Sequence, residues 1–229
     1  MVSHSLFIPV EGSHNLEVIT NKYEQRSPAI LFLPGMSGSA NTWANDLDLI
    51  PDTFALTMSF RGRGKSSSPN SGYGHKHHAE DIKSVCSHFQ LKRPIIVANS
   101  ASSYWSLLFA QSYRIGGLII IDKLPASRGI PEETLTIWLK DVNLPFSNEV
   151  AKALHGELKP EDGTHLLHNL DCKTTLLFGG KKGSHITEDE LIFLSKYHPD
   201  LRQVKLPNSG HGVALEDTDI LVNEIHKLI

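Results

Sequence analysis

Short apolar runs alternate with longer amphipathic stretches along most of the chain. Apolar runs bounded by turn residues are typical of strands that are covered on both faces. The predicted core strands are Ala29–Leu33, Ala55–Ser59, Ile95–Ala98, Gly117–Asp122, Thr175–Phe178 and Arg202–Leu206. Two earlier segments, Ser5–Val10 and Leu16–Asn21, alternate more regularly and predict a hairpin. Because helical stretches separate the core strands, the pattern predicts an α/β protein with a mostly parallel central sheet and helices on both faces.

The stretches between these strands show helical spacing. Tyr73–Gln90 is the clearest, since its apolar positions recur every three or four residues along one face. The other predicted helices are Tyr104–Tyr113, Thr187–Tyr197 and Asp217–Leu228. Thr187 and Glu190 have the spacing of a capping box, which marks the start of the third of these helices.

The segment between Asp122 and Thr174 has no strand character. It predicts three short helices, over Pro131–Val142, Ser147–Glu157 and Pro160–Leu170. Four apolar side chains of this segment could line a cleft or could simply pack among themselves. They are Trp138, Leu139, Leu144 and Phe146.

Composition narrows the class of protein. The chain has 229 residues, enough for one domain with a large core, and 40% of them are hydrophobic. A net charge of -3 argues against a nucleic-acid partner, and no apolar run approaches the ~20 residues of a membrane span. The start of the chain lacks the pattern of a secretory signal, and two cysteines make no disulfide framework, so a cytoplasmic location is expected.

No cofactor or metal is predicted. The three histidines His75, His77 and His78 stand at the start of the predicted helix over Tyr73–Gln90. Neither a cysteine nor a carboxylate accompanies them at a recognised ligand spacing. We therefore interpret them as part of a solvated helix face.

Ser100 follows a buried strand directly and precedes a helix. A serine on such a sharp turn is held out of the sheet, where its hydroxyl can attack a carbonyl. The tight backbone requires small residues two positions before and two after the serine. Here they are Ala98 and Ser102 rather than the two glycines of the usual motif.

Three other segments accompany this turn in a fixed order. They are the glycine-rich turn within residues 29–43, the segment Phe60-Arg61-Gly62-Arg63-Gly64 within residues 54–69, and Pro207-Asn208-Ser209-Gly210-His211 near the C-terminus. With the serine turn, they resemble the α/β-hydrolase superfamily across essentially the whole chain, and most closely its small esterases and carbon–carbon bond hydrolases. The resemblance implies one α/β-hydrolase domain over 1–229, with a small helical lid inserted at about 124–172.

The resemblance also implies roles for individual residues. Ser100 corresponds to the nucleophile and His211 to the general base that activates it. The backbone amides of Met36 and Ala101 correspond to the oxyanion hole, and Gly38 leaves the loop room to approach.

The acid that normally orients the histidine is missing from its usual place. The segment Thr174–Gly183 aligns with the family's strand and turn, and Gly183 stands where the aspartate belongs. Three explanations stay open. Asp122 at the end of the preceding strand could supply the carboxylate, as in some lipases; Glu188 or Asp189 could swing in; or the site could work as a dyad or have lost hydrolysis.

These residues predict a serine-dependent hydrolase of a small ester, thioester or related acyl substrate, acting through an acyl-enzyme. One alternative is a lyase or cofactor-free reaction in the same pocket with His211 as base. Another is a weakly active or inactive ligand-binding protein of the same fold. The expected partner is a small molecule, with no nucleic acid and no membrane, and the oligomeric state stays open.

Overall fold

An eight-stranded sheet forms the centre of the computed structural model, which describes residues 4–10, 14–21, 24, 28–211 and 217–229. Its strands are β1 (His4–Val10), β2 (His14–Thr20), β3 (Ile30–Leu33), β4 (Ala55–Met58), β5 (Ile95–Asn99), β6 (Gly117–Ile121), β9 (Lys173–Gly179) and β10 (Arg202–Leu206). They lie in the order β1-β2-β4-β3-β5-β6-β9-β10. The first two form the predicted hairpin, β2 pairs antiparallel with β4, and every other neighbouring pair is parallel. The predicted fold class is confirmed.

Helices cover both faces of this sheet. The α-helices are α1 (His75–His88), α2 (Ser102–Ala110), α3 (Glu132–Trp138), α4 (Asn148–Glu157), α5 (Glu188–Tyr197) and α6 (Thr218–His226). Alternate residues of each central strand face opposite layers, as the period of a strand requires. Leu31 and Leu33 pack with the layer that contains α1 and α2, whereas Ile30 and Phe32 pack with the layer that contains α6. All four are fully buried, which explains why the strand reads as a continuous apolar run.

The segment 124–172 was predicted to have no strand character, and it differs from this both in its first residues and in its last third. Helices α3 and α4 form as expected, but Pro160–Asp162 is a short strand, β8, that pairs antiparallel with β7 (Ala126–Arg128). A 3-10 helix, Thr164–Asn169, follows it. The Asp162 carboxylate accepts hydrogen bonds from the backbone and the hydroxyl of Thr164, which fixes the turn between them. The prediction of a third α-helix was wrong because this local turn and the β7 pairing outweigh the apolar spacing.

Two further boundaries affect the site. Helix α2 begins at Ser102, immediately beyond Ser100, rather than at Tyr104. Helix α5 begins as predicted, with the Thr187 hydroxyl and the Glu190 carboxylate forming the capping box. Among the described residues, every helix is too short or too polar to span a bilayer.

Candidate active site

Ser100 stands on a strained turn between β5 and α2. Its φ angle is 54°, a left-handed conformation that a non-glycine residue adopts at a cost of about 1–3 kcal/mol. Its backbone N–H donates to the Ile121 carbonyl at 3.0 Å, which ties the turn to the end of β6. The small residues Ala98 and Ser102 are fully buried. The Ser102 hydroxyl donates to the Asn99 carbonyl at 2.9 Å, so the absence of the second glycine leaves no unpaired group.

The glycine-rich turn after β3 packs directly against Ser100. A Cβ atom at Gly35 would lie 3.3 Å from the Ser100 Cβ, and one at Gly38 would lie 2.8 Å from the Pro34 Cβ. The backbone N–H groups of Met36 and Ala101 donate to no other described residue. Two amides predicted for an oxyanion hole are therefore free, on segments that meet at the serine.

His211 follows β10 and lies against Asp122. Its Nδ1 atom is 2.9 Å from the Asp122 Oδ2 atom. Ser100 and His211 line one cavity of about 470 Å³, which also contacts Met36 of the glycine-rich turn. Of the predicted site residues, Ser100, His211 and Met36 therefore meet at this cavity, with Asp122 behind His211. Residues 212–216, which follow the histidine, lie outside the described part of the chain.

Asp122 is buried at the end of β6 and accepts hydrogen bonds from four of the described residues. Besides His211, the donors are the backbone N–H groups of Gly179 and His185, each at 2.8 Å, and the Ser184 hydroxyl at 2.5 Å. Burial alone would raise the pKa of Asp122, but these donors together hold the pKa at about 2. The carboxylate is therefore ionised near neutral pH. Since an ionised carboxylate can only accept, Nδ1 of His211 carries the hydrogen and Nε2 is left for another partner.

The loop on which the resemblance predicts the acid instead supports Asp122. Gly183 has a φ angle of 99°, and a Cβ atom there would meet no atom within 4 Å. The next two residues, Ser184 and His185, turn back to donate to Asp122. Glu188 and Asp189 lie exposed in the first turn of α5. Among the described residues, Asp122 is the only carboxylate within ion-pair distance of His211.

His185 is part of the site and was not predicted. Its ring stacks on the His211 ring, with centroids 3.4 Å apart and planes inclined by 18°. Burial lowers its pKa, and the neighbouring His211 and Lys123 lower it further. A neutral His185 avoids repulsion when His211 gains a proton. No sequence signal marks it, because its position depends on the conformation of the turn at Gly183.

A buried arginine supports the glycine-rich turn from behind. Arg63 is fully buried, and its Nε–H donates to the Met36 carbonyl at 3.3 Å. Its Nη1 donates to the Arg61 carbonyl and to the His78 Nε2, each at 2.8 Å. Burial lowers the pKa of Arg63 to about 10 although the charge of Asp81 opposes this, so the guanidinium keeps its charge.

The interpretation of the histidine cluster as a solvated face was wrong. His78 is fully buried and stacks on Trp105 at 3.9 Å, and His75 is buried where its Nδ1 accepts from the Trp105 indole at 3.1 Å. Both histidines lie on the same helical stripe as Ile82 and Cys86, so the spacing contained the signal. Burial and the charge of Arg63 keep the pKa of His78 well below its usual value.

Replacing Arg63 should destabilise the protein. The Arg63→Met variant leaves the Met36 carbonyl and the His78 ring without their buried donor, at about 1–3 kcal/mol for each unpaired group. We expect the free energy of unfolding in urea to fall by about 2–5 kcal/mol. The control is Lys65→Met, whose side chain is 67% exposed and should change stability by less than about 0.5 kcal/mol. Equal stability of the two variants would show that the Arg63 contacts contribute nothing.

A second, smaller cavity of about 180 Å³ opens on the other side of the serine. Met36, Ser100 and His185 line both cavities, and Trp138 of α3 lines the smaller one. Trp138 packs edge-to-face on Phe146 at 5.2 Å. Of the four apolar candidates in the segment 124–172, the remaining three (Leu139, Leu144 and Phe146) line neither cavity.

Comparison with known proteins agrees with this architecture. A family model described as alpha/beta hydrolase fold matches residues 28–123. A bromoperoxidase from Bacillus anthracis superposes with a TM-score of 0.80 at 12% identity, covering 98% of this chain and 99% of that one. An esterase from Exiguobacterium antarcticum gives 0.77 at 16% identity, covering 98% of each chain. An esterase from Rhodococcus sp. ECU1013 gives 0.76 at 17%, covering 99% of this chain and 98% of that one.

Among curated proteins, no sequence matches the chain. The sheet order, the family model and the solved structures nevertheless agree with one another. The chain therefore has the α/β-hydrolase fold.

Proposed function

We propose that the protein is a serine hydrolase that cleaves a small ester, thioester or related acyl compound through an acyl-enzyme on Ser100. The observation that carries the proposal is the contact between His211 and the ionised Asp122, beside a cavity that both His211 and Ser100 line. A serine hydroxyl is a weak nucleophile near neutral pH, and it needs a base that is itself held in the right tautomer. Asp122 holds His211 with the hydrogen on Nδ1, which leaves Nε2 to act as that base.

In the first half of the reaction, the Ser100 Oγ attacks the substrate carbonyl while its proton passes to Nε2 of His211. The imidazolium that forms is stabilised by Asp122, which stays ionised throughout. Collapse of the tetrahedral intermediate breaks the bond to the leaving group, which takes the proton from Nε2. In the second half, water attacks the acyl-enzyme with His211 again as base and restores Ser100.

The negative oxygen of each tetrahedral intermediate needs donors that are already in place. The free N–H groups of Met36 and Ala101 are suited to this role. Arg63 supports the oxyanion hole in two ways. Its hydrogen bond to the Met36 carbonyl holds the glycine-rich turn in place, and its buried positive charge, behind that turn, favours a negative oxygen there. Asp81 does not cancel that charge, because its carboxylate already pairs with Arg61 at 2.6 Å.

The names of the superposed structures support hydrolysis, since two of the three are esterases that share the fold over nearly their whole length. We also propose a cytoplasmic location. Cys86 and Cys172 are both free thiols, and a reducing compartment keeps thiols in this state.

A fluorophosphonate probe tests the proposal, because it reacts covalently only with an activated serine. We expect the wild-type protein to be labelled and Ser100→Ala to remain unlabelled. The matched control is Ser103→Ala, which removes a buried hydroxyl three residues away and should be labelled like the wild type. Absence of labelling in the wild type, or labelling of Ser100→Ala, would contradict an activated Ser100.

A further inference from the structure

The smaller cavity has a composition that the proposed chemistry alone does not explain. It lies between α2, α3 and the stretch 123–131 after β6. At roughly 30 Å³ for each water-sized group, its 180 Å³ would hold on the order of six such groups. This is the size of a short acyl chain.

The wall of this cavity is positively charged. Among the described residues that line it, Lys123 and Arg128 are basic and none is an aspartate or a glutamate. Arg128 is already paired, since its Nη2 atom lies 3.1 Å from the Glu190 Oε1 atom. The Lys123 ammonium has no hydrogen-bonding or ion-pair partner among the described residues. The negative charges of Glu190 and Asp122 act on this ammonium, but neither carboxylate lies within ion-pair distance of it.

A half-buried ammonium without an ion-pair partner has lost part of its hydration, and an anion bound beside it would offset that loss of free energy. Burial lowers the pKa of Lys123 and the charge of Arg128 lowers it further, whereas the charges of Glu190 and Asp122 raise it. Besides Ser100, and Tyr104 whose hydroxyl donates to Glu161, two further hydroxyl-bearing residues line the same cavity, Ser127 and Thr134. The Ser127 oxygen accepts from the Gly129 backbone at 3.0 Å, so its own hydrogen remains free to donate. An ammonium with hydroxyl donors beside it forms a suitable environment for a carboxylate.

The position of His211 decides which half of the substrate enters this cavity. His211 lines the larger cavity but not the smaller one. The leaving group takes its proton from His211, and the water that follows gives its proton to His211, so both must lie in the larger cavity. The acyl chain is left for the smaller one. The half-buried Asp46 carboxylate lines the larger cavity, which makes that side unfavourable for an anion.

We propose that the acyl group transferred to Ser100 ends in a carboxylate that binds Lys123 in the smaller cavity, so that the substrate is a monoester or monothioester of a short dicarboxylic acid. This inference rests on the proposed function and names its substrate class. The methylene groups of such a chain would lie against the indole rings of Trp105 and Trp138, which also line the cavity.

Two esters of the same chain length test the proposal: monomethyl glutarate, which ends in a carboxylate, and methyl valerate, which ends in a methyl group. A charge-assisted hydrogen bond in a partly buried site contributes about ten- to hundredfold in binding. We expect kcat/KM for methanol release to favour monomethyl glutarate by that factor, mainly through KM. In Lys123→Met the preference should fall to about one, and Lys123→Arg should restore part of it. The control Lys83→Met, on the exposed face of α1, should keep the wild-type preference.

Turnover of p-nitrophenyl acetate by the same preparations separates this inference from the proposed function. Equal kcat/KM for the two methyl esters, or a preference that survives in Lys123→Met, would overturn the inference. Turnover of p-nitrophenyl acetate would in that case still support the proposed hydrolase function. If the wild-type protein hydrolysed none of the three esters, the proposed function itself would be overturned.

Discussion

Asp122→Asn should lower kcat/KM for p-nitrophenyl acetate by about 10⁴-fold, the loss expected when the orienting aspartate of a serine triad becomes asparagine. The physical reason is the hydrogen on Nδ1 of His211. An ionised Asp122 accepts that hydrogen at 2.9 Å, whereas an asparagine can present an N–H₂ group there and favour the opposite tautomer. Nε2 would then carry the hydrogen and could not act as a base toward Ser100.

The control for this variant is Asp171→Asn, which removes an aspartate that is 83% exposed and pairs with Arg114 at the surface. It should leave turnover unchanged. A second arm adds Gly183→Asp to Asp122→Asn. We expect no recovery, because the residues after Gly183 are committed to donating toward position 122. Near-normal activity of Asp122→Asn would show that the aspartate only completes the turn after β6, and that the site works without an acid.

His211→Ala should lower kcat/KM for the same ester by about 10⁴-fold or more, since the serine then has no base. The matched control is His185→Ala. Both rings line the larger cavity and stack 3.4 Å apart, so each variant removes an imidazole from the same place. Of the two rings, only that of His211 contacts a carboxylate, since His185 reaches Asp122 through its backbone N–H, which alanine keeps. We therefore expect His185→Ala to retain activity within about tenfold. The reverse order of the two effects would assign the base to His185.

The sheet could be predicted closely because its strands are buried on both faces. Continuous burial makes each strand an apolar run in the sequence, as in Ile30–Leu33 and Ile95–Ala98. The helices between these runs predict that the strands pair in parallel, as they do. Asp122 was among the candidates through the family resemblance, since some lipases carry the acid at the end of this strand. Choosing Asp122 over Glu188 or Asp189 needed the hydrogen bonds from Ser184 and His185, which depend on a loop conformation that no periodicity encodes.

The errors of prediction share one cause, which is contact between segments distant in sequence. Strand β8 forms because Pro160–Asp162 meets Ala126–Arg128. His75 and His78 are buried because Trp105, Arg63 and the Lys159 carbonyl supply partners for their ring nitrogens. Histidine occurs both at the surface and in the core, where its ring nitrogens are hydrogen-bonded, so the residue type alone could not predict whether these two are buried.

Ser100 should become acylated during turnover. The most direct measurement is peptide mass spectrometry of the wild-type protein quenched in acid during reaction with p-nitrophenyl acetate. We expect one acetyl group, on the peptide that contains Ser100 and on that residue. An acetyl group on His185 or Lys123 instead, or turnover with no acetylated protein detected when deacylation is slowed at low pH, would contradict it.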